Sequence, residues 1–218
     1  MAELILFDLD GTLTDSGPGI MNCVKYAFEK MNVTDYDPEI LRTFIGPPLD
    51  YRFKEVLGIS EEEAKKAVAT FRERYFVDGI WENSVYEGIP EVLTLLKVSG
   101  KKLAVATSKP QVLADRVLEH FELAEFFDVI CGSKADGKKA EKTEILNEVL
   151  AATGYADKKD QVVLIGDTKY DVLGAKAVGI NCVGVSYGYG TVDELKESGA
   201  VKICKTPADL VYLALDEE

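Results

Sequence analysis

The chain has 218 residues, of which 47% are hydrophobic and 29% charged, and its formal net charge at pH 7 is −13. A chain of this length and composition can bury a sizeable core unaided, which excludes an intrinsically disordered protein and a disulfide-built miniprotein. The excess of acidic residues repels nucleic-acid phosphate and anionic membranes, so we expect neither as a partner.

Short apolar runs that end in polar or small residues predict strands buried on both faces, as in a parallel sheet. Helical periodicity follows between most of these runs, as at Val112–Leu118 and Ile145–Leu150. Alternating strands and helices predict an α/β fold with a doubly wound parallel sheet. The predicted strands are Leu4–Phe7, Leu103–Ala106, Val129–Cys131, Val162–Ile165 and Cys182–Val185.

The alternation stops between the first and second predicted strands, where helices are predicted instead. One helix carries the apolar stripe Ile20–Met31, and another covers Glu61–Tyr75. Ser60 is the predicted N-cap of the second helix, because Glu63 follows three residues later. Stretches rich in glycine and proline on both sides have the composition of linkers. The sequence therefore predicts a helical cap domain of residues 15–82 inserted into an α/β core of residues 1–14 and 83–218.

Two sequence features bear on location. The N-terminus is apolar for only four residues before Asp8, which is too short for a signal peptide or a membrane span. The cysteines are too scattered for a zinc or redox motif. Scattered thiols are typical of proteins in a reducing compartment. We therefore expect a cytoplasmic protein. The cysteines are Cys23, Cys131, Cys182 and Cys204.

Aspartates follow two of the predicted strands. Asp8 and Asp10 come directly after the first, two positions apart, so their side chains point to the same side. Asp167 follows the fourth strand, and Asp171 lies one helical turn further on. The carboxyl ends of neighbouring parallel strands meet at one edge, where ligands bind. Acids this close raise one another's pKa unless a cation intervenes, so three or four carboxylates here predict an oxygen-only site that suits Mg²⁺.

Two further stretches have groups that suit a phosphate. Thr107 and Ser108 follow the second strand, where a hydroxyl and the N–H groups of a turn at a helix N-terminus could bind an anion. A lysine-rich stretch follows the third strand and could supply a positive charge. Lys142 and Lys138 are the two candidates in this stretch.

The ordered set of motifs resembles the haloacid dehalogenase superfamily of phosphohydrolases, over essentially the whole chain. FDLDGTLTDS at residues 7–16, VATS at 105–108 and GDTKYD at 166–171 match its first, second and fourth motifs in order. The inserted segment resembles the helical cap of the subclass that includes phosphoglycolate phosphatases and related 5′-nucleotidases. The loop FIGPPL at residues 44–49 and YGYG at 187–190 resemble loops of the same enzymes.

The resemblance implies a role for each acid. Asp8 matches the nucleophile, and Asp10 matches the general acid and base that also offers its backbone carbonyl to Mg²⁺. Asp167 and Asp171 match the metal-binding acids, so Asp8, Asp10, Asp167 and Asp171 are the implied ligands of Mg²⁺. The implied activity is hydrolysis of a phosphate monoester through an aspartyl-phosphate.

The resemblance also implies contacts with the substrate. Thr107 and Ser108 would bind its phosphate, and Lys142 fits the third motif better than Lys138. Cap residues would contact the leaving group. These residues are Gly46, Pro47 and Pro48.

The predicted function is therefore a Mg²⁺-dependent phosphatase of a small phosphorylated metabolite, similar to phosphoglycolate phosphatase. A 5′-nucleotidase or another hydrolase of the superfamily is the alternative, and the sequence leaves the substrate open. A sugar-phosphate mutase is disfavoured because the single histidine, His120, does not follow the first motif and is predicted at a helix surface. The intact acids disfavour a catalytically silent binding protein. We expect a monomer, with a dimer as the alternative.

Overall fold

The computed structural model describes residues 2–134 and 141–215, so Lys138 lies outside the described residues. The chain divides into two compact units. The first comprises Met1–Thr14 and Val85–Glu218, and the second is Asp15–Ser84. Across the described ranges, no helix is both long and apolar enough to cross a bilayer.

A parallel sheet of six strands forms the centre of the first unit, within the part of the chain that the structure describes. Its spatial order is β5-β4-β1-β6-β7-β8, and β2 and β3 pair separately. The strands are β1 (Leu4–Phe7), β2 (Thr14–Asp15), β3 (Ser84–Val85), β4 (Lys102–Pro110), β5 (Val129–Ser133), β6 (Val162–Gly166), β7 (Asn181–Val185) and β8 (Lys202–Cys204).

The helices fill the intervals between the strands of the sheet and most of the second unit. The α-helices are α1 (Gly17–Lys30), α2 (Leu49–Leu57), α3 (Glu61–Arg74), α4 (Ile89–Val98), α5 (Gln111–His120), α6 (Lys142–Thr153), α7 (Lys169–Val178), α8 (Val192–Ser198) and α9 (Tyr212–Leu215). Short 3₁₀ helices cover Pro38–Phe44, Ala124–Phe126, Lys159–Gln161 and Pro207–Val211, and a π-helix covers Tyr75–Gly79.

Helices cover both faces of the sheet, which confirms the predicted doubly wound architecture. On one face, Leu4 and Leu6 of β1 share a buried cluster with residues of α6 and α7. Ile5 and Phe7 alternate with them and are also fully buried, while α4 and α5 contact β4. Burial on both faces explains why these strands are unbroken apolar runs in the sequence.

Three strands were not predicted, and four are longer than predicted, β4 by the most. β2 and β3 have two residues each, too few to form a recognisable apolar run. β8 lies at the sheet edge, where Lys202 is exposed and only Cys204 is fully buried. β4 continues to Pro110, whereas the prediction ended it at Ala106. A shift in its register with β5 between these two residues lets the extension pair with Ser133.

The second unit is helical and has its own aromatic core. Three phenylalanine rings make edge-to-face contacts, with ring centroids 4.9 to 6.1 Å apart. They are Phe28 of α1, Phe44 at the end of the first 3₁₀ helix, and Phe53 of α2. The predicted N-cap of α3 is confirmed, because Ser60 and Glu63 form a reciprocal capping box. The predicted helix Glu61–Tyr75 ends at Arg74 and passes directly into the π-helix.

Candidate functional site

Three carboxylates meet at the carboxyl ends of β1 and β6. Asp8, Asp167 and Asp171 each place one carboxylate oxygen within 4.8 Å of the other two. Asp8 follows β1, and Asp167 follows β6, whose Ile165 pairs with Phe7 in parallel register. Asp171 lies in the first turn of α7. The structure therefore brings these three predicted acids together, because adjacent parallel strands end at the same edge.

A tight turn after β1 and the loop after β7 surround Asp167. Gly11 has a φ of +84°, and a Cβ there would lie 2.2 Å from Asp167 Oδ2, so a side chain would collide with the carboxylate. The Thr12 hydroxyl donates a hydrogen bond to Asp167 Oδ1 at 3.3 Å. The Tyr189 backbone N–H donates to Oδ2 at 2.8 Å, and the Tyr187 hydroxyl donates to the Thr12 carbonyl at 3.0 Å.

Sequence reasoning identified the YGYG stretch only as a resemblance and assigned no contact to it. These contacts nevertheless fix the orientation of the Asp167 carboxylate. No local pattern links residues 187–189 to residue 167, because the two meet only through the order of strands in the sheet.

Lys142 is the first residue of α6 and points into the acid cluster. Its Nζ lies 2.9 Å from Asp8 Oδ1 and 2.7 Å from Asp171 Oδ1, and it donates a hydrogen bond to the Ala106 carbonyl at 2.7 Å. The side chain crosses α7 at Gly174, where a Cβ would lie 2.8 Å from Lys142 Cγ. Lys142 thus reaches the predicted site, although its role in phosphate binding stays a prediction.

Burial and mutual repulsion shift the pKa values of this cluster. Burial raises the pKa of Asp8 to about 6, although Lys142 acts in the opposite direction. Burial also raises the pKa of Asp167 well above its usual range, and the charges of Asp171 and Asp8 add to this effect. Burial lowers the pKa of Lys142, but Asp171 and Asp8 outweigh it and hold the pKa above its usual range. The sequence predicted that repulsion between neighbouring acids would raise their pKa values, but burial is the larger cause of the raised pKa values of Asp8 and Asp167.

The donor set fits a divalent cation that prefers oxygen. All three clustered groups are carboxylates, the ligands that Mg²⁺ and similar hard cations take in proteins. Lys142 supplies one positive charge against three acids. A divalent cation beside Asp8, Asp167 and Asp171 would neutralise the remaining charge.

Asp10 lies apart from this cluster of three. The Lys109 ammonium donates to both carboxylate oxygens of Asp10, each at 2.9 Å. Lys109 is buried, and it directly follows the second motif, VATS at residues 105–108, so no role was assigned to it from the sequence. In the structure, Thr107 and Lys109 are buried and Ser108 is exposed, as alternate positions of a strand are, but three polar residues in a row show no such alternation in the sequence.

The prediction of a turn following Thr107 is wrong, because the residues up to Pro110 extend β4 and α5 begins only at Gln111. Thr107 is buried, and its hydroxyl oxygen accepts a hydrogen bond from the Lys109 backbone N–H at 3.2 Å. Ser108 is exposed. The register shift of β4 against β5 supplies the physical reason, since it allows extended backbone to continue beyond Ala106.

The predicted cap loop lies in the second unit, immediately before α2. Gly46 and Pro48 are exposed and Pro47 is half-buried. Arg52 follows in α2, where it pairs with Glu55 and donates a hydrogen bond to the Thr43 hydroxyl at 3.0 Å. The assignment of Gly46, Pro47 and Pro48 to substrate contact stays a prediction. In the first unit, His120 is exposed at the end of α5, as predicted.

Comparison with known proteins identifies one family, and the relatives within it are named for several different activities. Residues 5–185 match the haloacid dehalogenase-like hydrolase family. A 5′-nucleotidase of Pseudomonas aeruginosa is 42% identical over 209 residues, which cover 96% of this chain and 92% of that protein. A protein of Mycobacterium tuberculosis named tyrosine-protein kinase PtkA is 34% identical, over 92% of this chain and 68% of its own. The crystal structure of a predicted phosphatase from Clostridium acetobutylicum superposes with a TM-score of 0.91 at 40% identity, covering both chains completely.

Proposed function

Since this chain belongs to the haloacid dehalogenase-like hydrolase family, we propose that it is a Mg²⁺-dependent phosphatase that cleaves a small phosphate monoester through an aspartyl-phosphate on Asp8. The observation that carries the proposal is the meeting of Asp8, Asp167, Asp171 and Lys142 at one edge of the sheet. A phosphoryl group bound there would meet a carboxylate nucleophile beside positive charge.

The chain's own side chains supply each step. An Asp8 carboxylate oxygen attacks phosphorus, and the bond from phosphorus to the ester oxygen breaks while Asp10 gives that oxygen a proton. Asp10 then takes a proton from water, which attacks the phosphorus of the aspartyl-phosphate. The phosphorus–Asp8 bond breaks, inorganic phosphate leaves, and Asp8 is again a carboxylate.

Asp8, Asp167 and Asp171 would hold Mg²⁺, together with the backbone carbonyl of Asp10. When bound, Mg²⁺ reduces the repulsion between the nucleophile and the phosphate oxygens. Lys142 and the hydroxyl of Thr107 would interact with the same negative charge, and Thr107 directly follows Ala106, whose carbonyl accepts a hydrogen bond from Lys142.

A nucleoside 5′-monophosphate is the first substrate that we propose, because the 42% identical relative bears the name 5′-nucleotidase. Phosphoglycolate is the second, on the motifs that resemble phosphoglycolate phosphatases. The kinase name of the Mycobacterium relative adds a different outcome, which is transfer of phosphate from ATP to tyrosine.

The test is phosphate release from AMP, phosphoglycolate, pyrophosphate, phosphotyrosine and ATP, with Mg²⁺, by the wild type and by Asp8→Asn. We expect one ester to be preferred and its turnover to disappear in the variant, with the far-ultraviolet circular dichroism unchanged. Turnover that survives in Asp8→Asn would overturn the covalent mechanism. Labelling of protein tyrosine by ATP, without release of phosphate, would replace hydrolysis by transfer.

The proposed setting is a reducing cytoplasm, where the protein acts as a monomer on a metabolite. All four cysteines lie in the described ranges and are buried free thiols, which suits that compartment. Light scattering after size-exclusion chromatography tests the monomer, and a mass of twice 23.9 kDa would indicate the dimer.

A further inference from the structure

Lys109 is a buried lysine that pairs with Asp10, an acid outside the cluster of three. Only 3% of its side chain is exposed, and its Nζ is 2.9 Å from both oxygens of Asp10. The Asp10 side chain is 24% exposed. The ion pair therefore approaches Asp10 from the protein side. Each carboxylate oxygen keeps a second lone pair that can accept or carry a proton.

The backbone holds Lys109 in place. Lys109 belongs to the extension of β4, where the register against β5 shifts between Ala106 and Pro110. Irregularities of this kind re-aim side chains next to active sites. The backbone N–H of Lys109 donates to the Thr107 hydroxyl oxygen, while its ammonium group donates to Asp10. One residue thus contacts both the proposed phosphate-binding hydroxyl and the proposed acid and base.

Lys142 and Lys109 pair with different acids of the site. Lys142 pairs with Asp8 and Asp171, whereas Lys109 pairs with Asp10. The orientation of Asp10 therefore has its own anchor, separate from the charges that would change when a phosphate or a cation binds beside Asp8.

We propose that Lys109 is a positioning residue that holds the Asp10 carboxylate where it exchanges a proton with the ester oxygen and then with water. This inference rests on the proposed phosphatase activity. Proton transfer depends on the distance and direction of the acid, so the loss of the anchor slows the steps that need Asp10.

The kinetic test compares Lys109→Met with the wild type on an alkyl phosphate and on p-nitrophenyl phosphate. The alkyl oxygen needs a proton to leave, so we expect kcat/KM to fall roughly 10- to 100-fold. The p-nitrophenolate group leaves without one, so its kcat/KM should fall by less than about threefold. Lys109→Arg keeps the charge and should recover part of the alkyl phosphate activity.

The matched control is Lys101→Met. Lys101 is similarly buried, and it directly precedes β4 at the end of the strand opposite to the carboxylates. This variant removes the same charge and should leave both kcat/KM values within about twofold. An equal loss on both esters in Lys109→Met would mean a merely structural role and would overturn the proposal.

A second measurement does not depend on activity. In a thermal double-mutant cycle, Lys109→Met and Asp10→Asn should not be additive, with a combined loss of Tm that is smaller than the sum by about 2 °C or more. Additive losses would show that the two side chains are not coupled and would overturn the proposal. A wild type that cleaves no ester but shows the coupling would overturn the positioning role together with the phosphatase activity, and leave only the ion pair.

Discussion

Asp8, Asp167 and Asp171 lie together, and Lys142 pairs with Asp8 and Asp171, so the three carboxylates carry more negative charge than this lysine neutralises. Burying a charge without a partner is costly, and a group in this position keeps its proton instead. The raised pKa values of Asp8 and Asp167 express this cost. At the scale of single residues, the arrangement favours binding of a cation over stability of the fold.

Loss of Lys142 should therefore destabilise the protein. In Lys142→Met the free energy of unfolding, measured by urea titration in EDTA, should fall by about 3 kcal/mol, because breaking a buried ion pair leaves the acids uncompensated. Added Mg²⁺ should recover much of the loss. Lys97→Met is the control, since its pair with Asp128 is partly exposed and should contribute less than about 1 kcal/mol. Equal losses in the two variants would contradict this account.

The pKa of Asp8 predicts a pH dependence with a definite sign. Its folded value of about 6 lies above its ordinary value of 3.8. Well below the ordinary value of 3.8, both states hold the proton. As the pH rises to 6 and beyond, the unfolded state loses it first, so the contribution of Asp8 to stability falls by up to about 3 kcal/mol.

Asp8→Asn has no such titration. In EDTA, its Tm relative to that of the wild type should therefore rise between pH 4 and about 7 and then level off. Thermal unfolding followed by circular dichroism measures the difference at each pH. A difference that stays flat across this range would show that Asp8 has an ordinary pKa.

Secondary-structure elements were predictable where the signal is local. The interior strands are continuous apolar runs, and α3 begins at a capping box that is readable as Ser60 with Glu63. Edge strand β8 and the extension of β4 have no such signal, because their pairing depends on neighbours distant in sequence. The turn wrongly predicted after Thr107 is one result.

The cap of α3 allows a direct test. Ser60→Ala removes the side chain that accepts from the Glu63 N–H, and should lower the free energy of unfolding by about 1 kcal/mol. Thr70→Ala in the same helix also removes a hydroxyl, which donates to the Lys66 carbonyl, and should change stability by less than about 0.5 kcal/mol. Urea titration of both variants provides the comparison, and a larger loss in Thr70→Ala would contradict the assigned cap.

At the scale of the whole molecule, two compact units share one strongly acidic chain. The three clustered acids all belong to the unit that contains the six-stranded sheet. A net charge of −13 also means that any salt reduces general repulsion within the protein, so a specific effect of Mg²⁺ must be separated from screening.

Mg²⁺ should raise the Tm beyond what salt achieves. At about 100 times its dissociation constant, a ligand of the folded state stabilises by about 2.7 kcal/mol, which corresponds to roughly 5 to 10 °C here. NaCl at matched ionic strength should give a smaller shift, and EDTA should reverse the effect of Mg²⁺. Asp167→Asn should lose the specific part. Equal shifts with NaCl and Mg²⁺ would argue against a metal site at these acids.

The sequence by itself determined the fold class and the position of the acids, because both depend on local pattern. Apolar runs mark the interior strands, and an aspartate directly after such a run must lie at its carboxyl end. Only the tertiary structure decided which groups touch. The contacts of Lys142 with Asp8 and Asp171, of Lys109 with Asp10, and of the loop after β7 with Asp167 all join residues that are distant in sequence. Their physical cause is the strand order and the shift in β4, which bring such residues together without leaving a periodic signal in the chain.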